Sequence, residues 1–465
     1  MHKGSLSRQA PLVYHVVYKC SKPCGFHPQE LPPFFRINMP EYQRTTLDNG
    51  LELVVAPLSY LHSVEIICYV KVGSRYESPA QSGLSHFVEH MMFRGNSRYS
   101  SGPALEQAFE QLGSGINAGT DAESTSYFAR VHPDAVAGGL ELFSIMLRTP
   151  KFLYLEIERA IVIEEALGDF NEVGADVCAD NRMARLLWQE HPLAQTVIGT
   201  PATIRTFGNK EVESWYHQHY TPDNMVISVA GPVEPQAVQQ AVAEHFGAWE
   251  ARTNPVPEVA APSHPLSGPE VDWVHDSDSQ LTLQLAWRTE GRAHPRAEEL
   301  RVLRRMLGEG GASFLMQKLR EEAGLTYSVE ASLEEYADCG CFSIDLSTEP
   351  ENLLEAVQAV LEVVVKVRSE PFKEHLDMVS CNALNYLDFS RDSVEELAGR
   401  YGWGIVSGHM RTLAQDLDFW RRISPAAVQE AAAYCLTSER MGFVCIGPWR
   451  ESERRAVEEL LHRML

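Results

Sequence analysis

NPVPEVAAPSHPLSGPE, residues 254–270, divides the chain. It holds five prolines and one glycine and shows no apolar period, which is the composition of a connecting segment. Outward from it, one order of elements occurs twice. On the N-terminal side, residues 51–56 and 64–72 are rich in β-branched and aliphatic side chains and read as strands. Helical spacing follows over 83–94 and 103–112, then strand-like runs at 115–120 and 124–132, then a helix opening at Pro133. A long helix is expected over 155–172, more helices to about 219, a strand at 225–230 and a helix at 234–246. On the C-terminal side, 280–287 reads as a strand, 296–307 and 314–322 as helices, and 326–333 and 341–346 as paired strands. A helix at 353–367, three more helical stretches and a terminal strand at 442–446 follow. Two halves of about 200 residues, each strand–helix–strand–strand–helix, imply an internal duplication. The expected class is α+β, with two homologous domains, each a mostly antiparallel sheet packed against helices. The expected boundaries are an N-terminal extension over 1–40, a first domain over 41–253, the linker at 254–270 and a second domain over 271–465.

At 465 residues the chain exceeds one ordinary domain. Apolar residues are 44% and charged residues 22%, which places it among globular proteins and excludes wholesale disorder. No apolar run approaches the ~18–20 residues of a membrane-spanning helix. The first residues lack the long apolar core of a secretory signal, so a soluble, cytoplasmic protein without a membrane partner is expected. Against 40 basic residues stand 63 acidic ones, a formal −23, which argues against a nucleic-acid partner. Nine cysteines are scattered along the chain, and Cys68, Cys381, Cys435 and Cys445 sit in apolar stretches as small core residues, so no disulfide framework is expected. Cys20, Cys24 and His27 have no second matched pair and read as part of a plain extension.

The chemistry concentrates at His86-Phe87-Val88-Glu89-His90, inside GLSHFVEHMMFRG. On a helix, positions i and i+4 share a face, so the two imidazoles can bind one Zn²⁺ at about 2.0–2.1 Å each. Glu89 projects toward the same side and can hydrogen-bond a water there. Phe87, Val88, Met91, Met92 and Phe93 surround the polar trio. Burying His, Glu and His in such surroundings costs several kcal/mol unless they are paired or metallated. The order H-x-x-E-H is that of inverted zincins. A catalytic zinc site usually takes three protein ligands, and the segment 155–165 offers Glu158, Glu164 and Glu165. Glu158 and Glu165 are seven apart and share a helical face, but spacing leaves the choice among the three open.

These residues resemble the M16 metallopeptidases, the family of pitrilysin, insulin-degrading enzyme and mitochondrial processing peptidase, over roughly residues 40–465. The family carries H-x-x-E-H followed about 75 residues later by a glutamate ligand, and Glu165 lies 75 after His90. IERAIVIEEA is similar to the family's ER-x-x-VILxE segment. The resemblance therefore implies His86, His90 and Glu165 as Zn²⁺ ligands, Glu89 as catalytic base and Glu158 as an auxiliary glutamate. GINAGTDAESTSYFARV, residues 115–131, looks like the family's NAxTxxExTxY strand. That likeness implies an edge strand that pairs with substrate through the main chain of Asn117 and Ala118. KLREEAGLTYSV resembles LRExxGLxYSV and implies that Arg320 and Tyr327 reach substrate and the developing oxyanion. HPLAQTVIGTPATI and YTPDNMVISVAGPV resemble structural segments, and GEGGASF, residues 308–314, reads as a turn. The second half has no H-x-x-E-H, as the resemblance implies for an inactive repeat. The implied activity is zinc-dependent cleavage inside a peptide or unfolded polypeptide held as an added strand in a closed chamber. The chain matches half of such a chamber, which implies a homodimer or a heterodimer with a zinc-less sister subunit. The rival expectation is a non-catalytic scaffold or partner subunit of a larger complex.

Overall fold

The computed structural model describes residues 41–251 and 259–464. Cys20, Cys24, His27 and residues 254–258 of the connecting segment lie outside them.

Six strands build the first sheet: β1 (Gln43–Thr46), β2 (Glu52–Pro57), β3 (Val64–Val70), β4 (Asn117–Thr120), β5 (Thr125–Val131) and β6 (Met225–Gly231), in the order β1-β2-β6-β3-β5-β4. Five build the second: β7 (Glu270–Val274), β8 (Leu281–Glu290), β9 (Val329–Glu335), β10 (Cys339–Thr348) and β11 (Met441–Ile446), in the order β7-β11-β8-β10-β9. Setting β1 aside, the two orders coincide strand for strand. Each sheet has one parallel pair, β2 with β6 and β7 with β11, at the same place in the order; every other neighbour is antiparallel. The fold is α+β with two copies of one topology.

Some element bounds differ from expectation. The strand at β11 is not terminal, because a helix Glu451–Met464 follows it. The helix expected over 155–172 stops at Leu167, and the stretch near 314–322 winds as a π-helix, Met316–Glu322.

β3 and β6 are buried along their whole length, so both faces of the sheet are covered. On one face Leu53, Val55, Ile66, Cys68, Ile227 and Val229 meet helices of their own half, among them Leu84–Met92, Val136–Arg148 and Pro235–Phe246. On the other, Val54, Ala56, Ile67, Tyr69, Val226 and Ala230 meet the helix Val394–Val406 from the second half, through Leu397, Ala398, Tyr401 and Ile405. The contact is close: a Cβ on Gly402 would lie 2.6 Å from the Tyr69 ring. The second sheet repeats the construction. Its own helices cover Leu283, Leu285, Phe342, Ile344 and Phe443. Its other face, with Ala286, Cys341, Val444 and Ile446, packs against Met183 and Leu187 of the first half's helix Ala179–Trp188. Gly442 is the close-approach position here, since a Cβ would lie 2.6 Å from Met183 Sδ. Each half thus lends one helix to the other's sheet. Cys68, Cys435 and Cys445 are buried and Cys381 half-buried, and all the described cysteines are free thiols. No described helix is long and apolar enough to cross a membrane.

Candidate metal centre

The helix Leu84–Met92 buries Leu84, Phe87, Val88, Met91 and Met92 in the first core, which leaves one direction for His86, Glu89 and His90. Its start is fixed by Glu77. One carboxylate oxygen accepts the Gly83 N–H at 2.7 Å and the other accepts the Ser85 N–H at 2.6 Å. Burial pushes the Glu77 carboxyl up to about 7, although these backbone donors pull it down. Gly83 has φ +91°, and a Cβ there would stand 2.3 Å from the Ile198 carbonyl oxygen, so only glycine fits.

The helix Leu155–Leu167 packs against this one and presents Glu165. His86 Nε2 and His90 Nε2 are 3.2 Å apart. The Glu165 oxygens stand 3.7 Å from His86 Nε2 and 3.5 Å from His90 Nε2. Among the described residues these three form the one cluster of three or more donors able to hold a metal ion, and Glu164 is not in it. Tetrahedral zinc with ligand bonds of about 2.0–2.2 Å places its ligands about 3.3–3.6 Å apart. The observed separations bracket that span, so the residues fit the ion.

Glu158 occupies a different position, behind His90. It is buried, with one oxygen 2.8 Å from His90 Nδ1 and the other taking the Arg94 Nε–H. A carboxylate on the far nitrogen of a metal-binding imidazole fixes its tautomer and aims its other nitrogen. Burial alone would raise the Glu158 carboxyl, but its bonds to His90 and Arg94 outweigh burial and hold it below the usual range. Burial likewise works against a charged His90, yet the Glu158 bond and the carboxylates of Glu89, Glu158 and Glu165 raise it. His86 has no carboxylate bonded at Nδ1; burial, and then the charge of His90, outweigh the charge of Glu158 and lower it to about 4.

Glu89 is buried and accepts a hydrogen bond from Thr120 Oγ1 at 2.7 Å. Burial raises its carboxyl, with Thr120 acting in the opposite sense. Thr120 ends β4, which among the described residues pairs only with β5 and leaves its other edge open. Asp121 N–H bonds Ser124 O at 2.8 Å. Because hydrogen-bonded pairs alternate along an antiparallel ladder, Gly119 and Asn117 bond toward β5, while the main-chain groups of Ala118 and Thr120 face the open edge.

Arg320 and Tyr327 pair with each other. The Arg320 guanidinium sits 5.0 Å from the centre of the Tyr327 ring, and Tyr327 is 83% exposed. No hydrogen bond or ion pair among the described residues joins either to the His86 group. A cavity of about 560 Å³ in the second half is also unrelated to the cluster; Arg301, Arg400 and Arg411 line it and are neutralised by Glu298, Glu335 and Asp416. Sequence reasoning missed three supporting residues. Arg94 follows His90 by one helical turn, Thr120 follows Ala118 on the same strand face, and Glu77 stands just before the helix it caps.

Residues 53–201 match the family model described as Insulinase (Peptidase family M16), and residues 206–379 match the model described as Peptidase M16 inactive domain. A protein of Mycobacterium tuberculosis named an uncharacterized zinc protease is 29% identical over 431 residues, covering 91% of this chain and 96% of that protein. The crystal structure of a protease from Helicobacter pylori has a TM-score of 0.83 at 22% identity, covering 88% of this chain and 100% of that one. The periplasmic protease PqqL from Escherichia coli has a TM-score of 0.72 at 17% identity, covering 91% of this chain but 50% of that one. With the two family segments in consecutive order along a chain whose topology is itself duplicated, the chain belongs to peptidase family M16.

Proposed function

We propose that this chain is a zinc-dependent endopeptidase acting on peptides or unfolded segments. One observation carries the reading: two imidazoles and a carboxylate stand at zinc-ligand spacing beside a second, buried carboxyl on Glu89. His86, His90 and Glu165 would hold the ion. When bound, zinc supplies Lewis acidity toward water and a peptide carbonyl.

The chain's own residues do the rest. Glu89 takes the proton of the attacking water and later hands it to the leaving amine; its raised proton affinity suits both tasks. Thr120 fixes the orientation of the Glu89 carboxyl. Glu158 holds the Nδ1 proton of His90, so that the Nε2 lone pair faces the cluster. The open edge of β4 takes up an extended peptide through the main chain of Ala118 and Thr120, with Asn117 beside them. An added strand must be extended, which selects peptides and unfolded segments over folded proteins.

Metal analysis with cleavage of a quenched fluorescent peptide, with and without chelator, tests this. One zinc per chain and cleavage abolished by chelator are expected. Zinc without cleavage across varied peptides favours a non-catalytic partner subunit. Arg320 and Tyr327, exposed and unbonded to their own cluster among the described residues, serve the site of a facing subunit in a homodimer or in a heterodimer with a zinc-less sister. For the homodimer, mixing Glu89→Gln and Arg320→Ala subunits is expected to restore cleavage in one of the two sites. Activity no higher than that of either variant alone excludes sharing.

A further inference from the structure

β4 has four residues and, among the described residues, pairs on one side only, with nothing within 4 Å of a Cβ position on Gly119. Its place beside Glu89 is set by its short ladder to β5, by Ala118 against the first core, and by the turn that joins it to β5. Two layers hold that turn. In the first, the loop after β3 docks on it by main chain: Ser74 N–H to Asp121 O at 3.2 Å and Arg75 N–H to Ala122 O at 2.9 Å. Gly73 permits this approach, since a Cβ there would lie 2.0 Å from the Asp121 oxygen. In the second, the buried turn residue Glu123 is gripped from both halves. One oxygen accepts Arg75 Nη1 at 2.8 Å and the second half's Ala337 N–H at 3.0 Å, and the other accepts Arg292 Nη2 of the second half.

The second half repeats this construction. After β8, Gly291 closes on the β9–β10 turn, where a Cβ would lie 2.4 Å from the Ala337 oxygen, and Arg292 N–H bonds Tyr336 O at 2.9 Å. That turn carries Asp338, which accepts Arg75 Nη2 at 2.5 Å. Each half therefore sends an arginine from the corresponding loop to the acid in the other half's corresponding turn. This reciprocity is the pattern of an isologous contact, here within one chain.

We infer that Arg292 and Glu123 are positioning residues for the edge strand: the second half, through this exchange, sets where β4 lies against Glu89. The inference rests on the peptidase reading for its catalytic consequence only. Buried ion pairs add little net stability compared with apolar packing, so what this one offers is placement: the bonds from Arg75, Arg292 and Ala337 fix the Glu123 carboxylate between the halves. Arg292 has the directional donors this needs: it also bonds the Glu335 carbonyl at 2.8 Å, and its guanidinium sits 5.4 Å from the Trp403 ring centre.

Hydrogen exchange of the segment 117–126 in the full chain, alongside zinc content and steady-state kinetics, tests it. Glu123→Gln and Arg292→Met are expected to speed exchange there by about tenfold or more, with β3, β6 and zinc content unchanged. Cleavage is expected to show a fall in kcat, from misplacement of Thr120 against Glu89, together with a rise in KM, and Arg292→Lys is expected to recover part of both. Arg182→Ala removes a different ion pair between the halves, that with Asp272, and is expected to leave segment 117–126 as in the parent. If Arg292→Met does not fold, Glu123→Gln and Arg292→Lys decide. Parent-like exchange of 117–126 in folded Glu123→Gln overturns the inference, as does an equal acceleration in Arg182→Ala. If the parent chain cleaves no peptide, the peptidase reading falls while the exchange result still tests the positioning.

Discussion

Glu89 and Glu158 are both buried glutamates beside His90, yet their surroundings drive them apart. Burial lifts Glu89 toward the protonated form, while His90 and Arg94 keep Glu158 charged. Under the proposed peptidase reading, this separation suits one to moving a proton and the other to a fixed support. Glu89→Gln is expected to retain zinc, measured by metal analysis, and to lower kcat by about 10²–10⁴. Glu77 gives a pH signature of a different kind. Its carboxyl is raised from 4.5 to about 7 by burial, so between those values the folded chain binds a proton that the unfolded chain does not. The contribution is full below about 4.5 and is lost as pH rises through about 7. Over that window it amounts to about 3 kcal/mol. Denaturant midpoints at pH 5 and pH 8 are expected to differ less in Glu77→Gln than in the parent chain.

At the scale of elements, the open edge of β4 bears the most specific expectation. Ala118→Pro removes an N–H that faces the edge and costs no bond to β5, since proline is tolerated on edge strands. The expected outcome is a KM about tenfold higher or more for an extended peptide, with zinc content retained. Much of this architecture was legible. The helix Leu84–Met92 announces itself because Phe87, Val88, Met91 and Met92 leave one polar direction, and the repeated strand order emerges from β-branched runs. The third member of the donor cluster was not legible from spacing, because one residue turns a helix by about 100° and the next glutamate points away. The family likeness singled out Glu165, and the structure places it beside both imidazoles. β1 and β7 escaped because QRTT is polar and EVDWV has one fully buried side chain. The C-terminal helix escaped because its charged sequence buries only Val457, Leu460 and Leu461. Glu123 is the glutamate of the NAxTxxExTxY likeness, but nothing local pairs it with Arg292, 169 residues further on.

At the scale of the whole molecule, the exchanged helices matter most. Without Val394–Val406, the first sheet would show Val54, Ala56, Ile67, Tyr69, Val226 and Ala230 to water. Without Ala179–Trp188, the second would show Ala286, Cys341, Val444 and Ile446. Residues 41–253 made alone are expected to aggregate, while co-expression with 259–465 is expected to give a folded pair, as judged by gel filtration and circular dichroism. A gene cut at the proline-rich stretch would therefore yield two sticky remnants instead of two working modules. The same lock ties the copies in their later history: reshaping one sheet's back requires a matching change near the opposite end of the polypeptide, so neither copy can drift by itself.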